Sequence, residues 1–467
     1  MLIFKRYNGI IKKWGRYGVM REGKMKDIFV VGFAIFAMFF GAGNLIFPPY
    51  LGLKSGTSWF VGFLCFIIMD IGLSVLTLLV VTKLGKGARG VTEKLGRKPS
   101  LLILALNVIC LGPLIAIPRT AATAFEFAVE PFYPSASTTV FSIVFFTAVV
   151  LFCLKQSKVI DIIGTVFAPL MLCALLVLIV KGIVTPIGTV ELGLSAGEAV
   201  KEGVNAGYQT MDVMAAMIFS ATILSAVVQK GYKTQKQQFR MVSASGILAM
   251  LILFVVYGGL AYLGASVSGT YPHDVDRVVL LIAITKALLG RNGMVLLGGM
   301  VCVACLTPAI GLLSSSASFF EKQCEGRIKY RTFVIGFAVI SCAISNLGIS
   351  KILKLASPIL NILYPLLILM VVLGIFKDYI KNDNVYKAAA FGTLIVSLLS
   401  LAEQFTGINF YLEALPFSQY GFQWVVPALV FGIVGGCVLP KEKRAGVFSM
   451  RKPKRKLPLF LFDFVIK

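Results

Sequence analysis

Charge is scarce in this chain. Only 14% of its 467 residues are Asp, Glu, Lys or Arg, where soluble domains carry about a quarter. That shortage argues against a water-soluble enzyme. Histidine is nearly missing: His273 is the single one, so no His-Glu-x-x-His zinc site can be written. Acidic residues number 21 against 45 Lys and Arg, a formal net charge of +24. A nucleic-acid reader would spread such an excess over a charged surface, whereas here the basic residues punctuate apolar runs, so no nucleic-acid partner is expected. A secretory signal is missing too, because residues 1–27 are basic and the run that follows is too long for a signal core.

What is plentiful is apolar. Hydrophobic residues make up 58% of the chain and 36 are Phe, with a mean hydropathy of +0.88. Of the nine cysteines, Cys65, Cys110, Cys153, Cys173, Cys302, Cys305, Cys342 and Cys437 lie in or beside apolar runs and read as small hydrophobic residues, leaving Cys324 in a charged loop. A membrane span needs roughly 20 mostly apolar residues. Such runs fall at 28–53, 55–82, 99–118, 131–154, 162–180, 203–229, 241–272, 292–320, 332–350, 355–376, 388–402 and 414–440. The third continues past Arg119, and 388–402 is the shortest. The chain reads as an all-α polytopic membrane protein with about twelve spans.

The loops support that count. Of the 45 Lys and Arg, 36 fall in the termini and even-numbered loops, at 1–27, 83–98, 155–161, 230–240, 321–331, 377–387 and 441–467. The positive-inside rule then puts both termini in the cytoplasm and requires an even number of spans. The expected location is the inner (cytoplasmic) cell membrane; the basic tails read as solvated and without a partner, attraction to anionic lipid being their other reading. The terminal run 457–467 is apolar but too short to cross.

The first span is broken in its middle. Phe39-Phe40-Gly41-Ala42-Gly43-Asn44 runs into Pro48-Pro49, and glycines and prolines both weaken a helix. Non-helical backbone at membrane depth is tolerated where it lines a cavity or is buried in protein. The freed amides of Gly41, Ala42 and Gly43 favour a carboxylate, and the carbonyls from Ala37 to Phe40 favour a cation. A Pro-kinked helix packing through small residues is the other reading. The sixth span holds Gly203-Val204-Asn205-Ala206-Gly207-Tyr208-Gln209-Thr210-Met211-Asp212, with polar and aromatic side chains inside an apolar segment. A carboxylate there is a functional hypothesis by default, unless Asp212 sits at the aqueous rim. Asp70, alone in the second span, is comparable, so Asp212 and Asp70 are the candidates for coupling or gating. Arg119 and Glu126 share one helix face, and a structural ion pair is expected between them. The first and sixth spans correspond in two five-helix halves, and breaks at matching positions point to the site of an inverted-repeat transporter. In the eighth span Gly311, Ser314 and Ser315 share a face and offer oxygens that suit a hard cation. Helix–helix hydrogen bonding is their other reading.

The Asn-to-Pro break, the stretch Gly112-Pro113-Leu114-Ile115-Ala116-Ile117-Pro118-Arg119-Thr120 and the segment Gln209-Thr210-Met211-Asp212 resemble the bacterial branched-chain amino acid:cation symporters, also called branched-chain amino acid transport system II carriers. The resemblance runs from about Lys26 to Pro440. It implies a leucine-transporter-type fold, a 5+5 inverted repeat plus two C-terminal helices. The expected organisation is a basic tail at 1–27, repeats at 28–182 and 198–376, helices 11 and 12 at 385–440, and a second basic tail at 441–467. The resemblance also implies import of Leu, Ile and Val with Na⁺ as coupling ion. It places the substrate at Gly41, Ala42, Gly43, Asn44, Tyr208, Gln209, Thr210 and Met211, and Na⁺ at Ala37, Phe40, Gly311, Ser314 and Ser315. No side-chain cation is expected at the pocket, no cofactor, and no obligate protein partner beyond the lipid bilayer. H⁺ coupling, or another amino acid or a nucleobase on the same fold, is the nearest rival. A channel would want repeated filter loops, which the chain lacks.

Overall fold

The computed structural model describes residues 22–155 and 168–438. The expectations for most of the basic N-terminal tail, for the start of the fifth run and for the C-terminal tail lie outside the described residues. The rest is helical, as a chain inside a bilayer must be if every backbone group is to find a partner. In chain order the helices are α1 (Glu22–Phe39), α2 (Ala42–Ser55), α3 (Trp59–Leu84), α4 (Arg97–Ala128), α5 (Thr138–Lys155), α6 (Ala168–Val184) and α7 (Ala196–Thr210). They continue with α8 (Asp212–Gln229), α9 (Gln235–Ala265), α10 (Arg277–Gln323), α11 (Tyr330–Ser345), α12 (Ile349–Ile375), α13 (Asp383–Thr406) and α14 (Val425–Val438). Seven segments are long and apolar enough to cross a membrane, counting α7 with α8 as one, and the bent pair α1–α2 makes an eighth. The shorter apolar helices α5, α6, α11 and α14 fall in four more of the twelve apolar runs. Side chains such as Val144, Ile143, Val339 and Ile433 are exposed, as lipid-facing residues are.

The third span runs to Ala128, past Arg119, and two spans carry a wide turn. In α3 the π-type turn Ile68–Gly72 contains Asp70. In α4 the turn Cys110–Leu114 is forced by Pro113 and by Gly112, whose φ of −77° and ψ of −115° leave the helix. Such turns set a side chain off the regular helix register and are frequent at functional sites.

Close backbone packing fixes α2 and α7. A Cβ on Gly264 would lie 1.8 Å from the Pro49 carbonyl oxygen, and one on Gly52 would lie 1.9 Å from that of Ala261, so α2 and α9 touch main chain to main chain. Small residues allow this approach where lipid supplies no hydrophobic drive between helices. The same device holds α7 on α3, where a Cβ on Gly203 would meet the Gly62 carbonyl oxygen at 2.3 Å and one on Gly207 would meet Met69 at 2.6 Å. The two glycines that read as part of a break are therefore packing residues.

The connections meet in two groups. In one, Lys94 pairs with Asp383, Glu93 bonds Lys86 (2.8 Å) and Lys377 (3.1 Å), and Lys230 reaches Asp27 (3.0 Å). Partial burial alone would raise the Glu93 carboxyl, but the two lysines hold it below its ordinary range. In the other, Thr57 N donates to the Glu191 carbonyl (2.9 Å), Glu191 N to Ser268 Oγ (2.8 Å) and Tyr50 to the His273 carbonyl (3.2 Å). The run Gly193-Leu194-Ser195-Ala196-Gly197 has the spacing of a nucleophile elbow. It enters α7 from a loop, and Ser195 forms a capping box with Glu198, which is a helix start and not a catalytic turn.

Gly264→Val is expected to prevent α2 from docking, with loss of monodisperse protein on size-exclusion chromatography in detergent. Gly299→Ala, where an added Cβ meets nothing within 4 Å, should elute as the wild type.

Candidate functional site

The break in the first span is short and open. Phe40 N still bonds the Phe36 carbonyl at 2.7 Å. Gly41 is extended (φ −122°, ψ −173°), and α2 restarts at Ala42 with an axis bent by 70°. First-turn amides have no carbonyl four residues back, and no side chain caps those of α2. They point their partial positive charge out of the helix. Any residue could adopt the Gly41 backbone, and a Cβ there would meet nothing within 4 Å. The requirement for glycine falls on Gly43, where a Cβ would lie 3.0 Å from Arg119 Nη2 and 3.2 Å from Phe47.

The second break is a single residue. Met211 is left-handed (φ 67°, ψ 19°) and buried, a conformation that costs a side-chain-bearing residue about 1–2 kcal/mol. It ends α7 at Thr210 and starts α8 at Asp212. Arg119 stabilises that end. Its Nη1 donates to the Gln209 carbonyl at 2.7 Å and its Nη2 to the Thr210 carbonyl at 3.1 Å, two of the four carbonyls that a helix end leaves unbonded. The expected ion pair with Glu126 does not form. Glu126 instead accepts from Ile349 N at the start of α12, at 3.0 Å. One helix face is shared, but the guanidinium fork fits freed carbonyls nearer at hand. The expectation that no side-chain cation reaches the pocket is overturned with it, because Arg119 sits against Gly43.

Asn44 couples the two breaks. Its Nδ2 donates to Asp212 Oδ2 at 2.8 Å and to the Tyr257 hydroxyl at 2.7 Å, all buried. Asp212 in turn faces Asp70 and Arg119. Both carboxyl oxygens of Asp70 are buried without a hydrogen-bond donor among the described residues. Asp212 is 5% exposed, so it is no rim residue.

The remaining predicted residues divide. Tyr208 stacks on Tyr364 with ring centroids 4.7 Å apart, and the Thr210 hydroxyl bonds back to the Gly207 carbonyl at 2.7 Å. Gln209 is among the residues that line a small cavity with Phe47 and Tyr50. Helix α10 packs against α1 and α2. A Cβ on Gly311 would touch Phe219, whose ring packs edge-on to Phe39. The Ser314 hydroxyl is engaged elsewhere, with Tyr330 Oη of α11 at 3.0 Å and Cys153 Sγ of α5 at 3.4 Å. Ser315 is half-buried. Among the described residues no three His, Cys, Asp or Glu gather around a metal position.

Sequence reasoning missed Arg119, Tyr257 and Tyr364 as members of this region. Arg119 carried a signal, because a mid-span arginine beside helix breaks has freed carbonyls to bond. The tyrosines carried none.

The chain is similar to known proteins along most of its length. A family model described as branched-chain amino acid transport protein matches residues 24–442. Two Staphylococcus aureus proteins, from strains USA300 and MRSA252 and named as branched-chain amino acid carriers, are each 33% identical over 92% of this chain and 98% of their own. Among solved structures, a Na⁺-coupled sialic acid symporter superposes with a TM-score of 0.57 at 13% identity, covering 89% of this chain and 90% of that one. Mhp1, a nucleobase-cation-symport-1 family transporter, superposes with a TM-score of 0.54 at 14% identity, covering 87% and 91%. These two share the fold, and the chain belongs to the branched-chain amino acid transport protein family.

Proposed function

We propose that this chain is a secondary transporter that imports Leu, Ile and Val through the inner membrane by Na⁺ symport, with both termini in the cytoplasm. The observation that carries this reading is the convergence of uncapped α2 amides and the Arg119 guanidinium on one buried spot at Gly43. Two sources of positive charge meeting there suit a carboxylate. Family membership supplies the branched-chain side chain, and the buried Phe40, Met211 and Met214 nearby offer an apolar lining for it. Gln209 and the freed carbonyls around the breaks suit the ammonium group. The transport reading needs no reacting group and no cofactor.

Na⁺ is assigned to the carbonyls of Ala37, Phe40 and Gly311 with the Ser315 hydroxyl, Ser314 joining when Tyr330 releases it. Oxygen ligands without a carboxylate suit a monovalent hard cation. A proton-driven cycle is the second reading, favoured by the facing carboxyls of Asp70 and Asp212 and the undonated oxygens of Asp70.

Uptake of radiolabelled leucine into proteoliposomes separates the two. Under the Na⁺ reading a Na⁺ gradient drives uptake at constant pH, and Ser315→Ala raises the Na⁺ concentration for half-maximal rate without changing substrate order. Uptake driven by a pH gradient in Na⁺-free buffer would move the coupling role to Asp70 and Asp212.

The carboxylate site makes a sharper claim about neighbouring glycines. Gly43→Ala should abolish leucine uptake by displacing Arg119, whereas Gly41→Ala should leave it close to wild type. Arg119→Gln should raise the half-saturating leucine concentration by at least about tenfold, the expected loss of one charge-assisted hydrogen bond. Equal effects at Gly41 and Gly43 would contradict the placement.

A further inference from the structure

The connection from α13 to α14, residues 407–424, is bonded to itself. Phe422 N donates to the Phe417 carbonyl (3.1 Å), Ser418 N to that of Leu415 (3.2 Å), and the Ser418 hydroxyl to that of Glu413 (2.6 Å). Its turn Ser418–Tyr420 packs against α7. Gly421, left-handed at φ 81°, lies beside Val204 and Asn205 of that helix. The connection therefore rests on the half-helix that ends at the Met211 break.

Where the connection enters α14 stands Trp424, 6% exposed. An indole N–H can only donate, and a tyrosine hydroxyl can accept. Trp424 Nε1 and the Tyr208 hydroxyl are both buried without a hydrogen-bond partner among the described residues, and they face one another. An unpaired buried donor and an unpaired buried acceptor are each unfavourable, and a bond between them would relieve both.

Tyr208 relays the contact inward. Its ring packs on that of Tyr364 of α12, with centroids 4.7 Å apart, and Tyr364 straddles the break. The Tyr364 hydroxyl donates to the Gly207 carbonyl of α7 and accepts from Val213 N of α8, each at 3.4 Å. Arg119 bonds the carbonyls of Gln209 and Thr210, so Tyr364 serves groups of the break that the arginine leaves. Three aromatic side chains thus run from the last two helices to both halves of the sixth span.

We propose that Trp424 is a positioning residue for transport: closure of its N–H onto the Tyr208 hydroxyl holds the Tyr208–Tyr364 pair, and with it the Met211 break, in the geometry that receives the substrate. The proposal rests on the reading of the chain as a leucine transporter.

Leucine uptake into proteoliposomes by Trp424→Phe, Tyr208→Phe and the double variant tests this. Trp424→Phe removes the donor and keeps an aromatic ring. Each single variant should raise the half-saturating leucine concentration about fivefold, the loss of one hydrogen bond, with the maximal rate nearly kept. The double variant should be no worse than either single one, because both atoms of the pair are then gone. Reciprocity gives a second measurement that leaves Trp424 in place, since a residue that sets leucine affinity must itself respond to leucine. The chain has three tryptophans, and with Trp14→Phe and Trp59→Phe the emission of Trp424 should shift when leucine is added. Additive effects of the two single changes, wild-type half-saturation in Trp424→Phe, or an emission that ignores leucine in a chain that transports it overturns the assignment and leaves the transporter reading intact. A wild-type chain that takes up no leucine overturns the transporter reading, and the assignment with it.

Discussion

Inside a bilayer every backbone amide and carbonyl must find a partner in the protein, and two broken helices violate that rule at one place. Arg119 is the group that answers it. The side chain is 5% exposed and bonds the last two carbonyls of α7. Burying a guanidinium costs several kcal/mol. Three attractions offset this: two charge-assisted hydrogen bonds, the negative end of the α7 dipole and the nearby Asp212. The same guanidinium lies against Gly43 at the positive end of α2. There the two positive contributions lie side by side, with Asp212 as the nearby counter-charge.

The rest of the structure holds this arrangement in place. Helix α2 is fixed on α9 by Gly52 and Gly264, and α7 is fixed on α3 by Gly62 and Gly203. The ends of α2 and α7 are tied to one another by the antiparallel bridge between Gly56 and Leu192. Asn44 then links the start of α2 to the start of α8 through Asp212, and to α9 through Tyr257. The second half of the first span, α2, and the first half of the sixth, α7, are thereby braced against α9 and α3, so the breaks face each other at a fixed separation. A transporter needs such a fixed centre, around which the surrounding bundle rearranges.

Much of this was legible in the sequence because hydropathy and loop charge act over whole segments. The span pattern survives small errors, and even the short run at 388–402 lies inside a full helix, Asp383–Thr406. The first break was legible for a similar reason, since Gly41 and Gly43 carry local penalties, although Pro48 and Pro49 stand inside α2 without ending it. What the sequence hid is whatever depends on which elements touch. Gly203 and Gly207 look like helix breakers and are packing surfaces. Met211, a good helix former, is the actual break because tertiary contacts override its propensity. Arg119 and Glu126 share a face yet bond to different elements, and Asp70 meets Asp212 only once α3 and α8 are packed.

The central claim is that the substrate is held by its carboxylate at the meeting point of α2 and Arg119. Competition by leucinol against radiolabelled leucine in Na⁺-driven uptake tests it most directly, because leucinol keeps the ammonium and the side chain and lacks only the carboxylate. The account predicts that leucinol competes at least about a hundredfold more weakly than leucine, the loss of two charge-assisted hydrogen bonds. Competition as strong as that of leucine itself would contradict it.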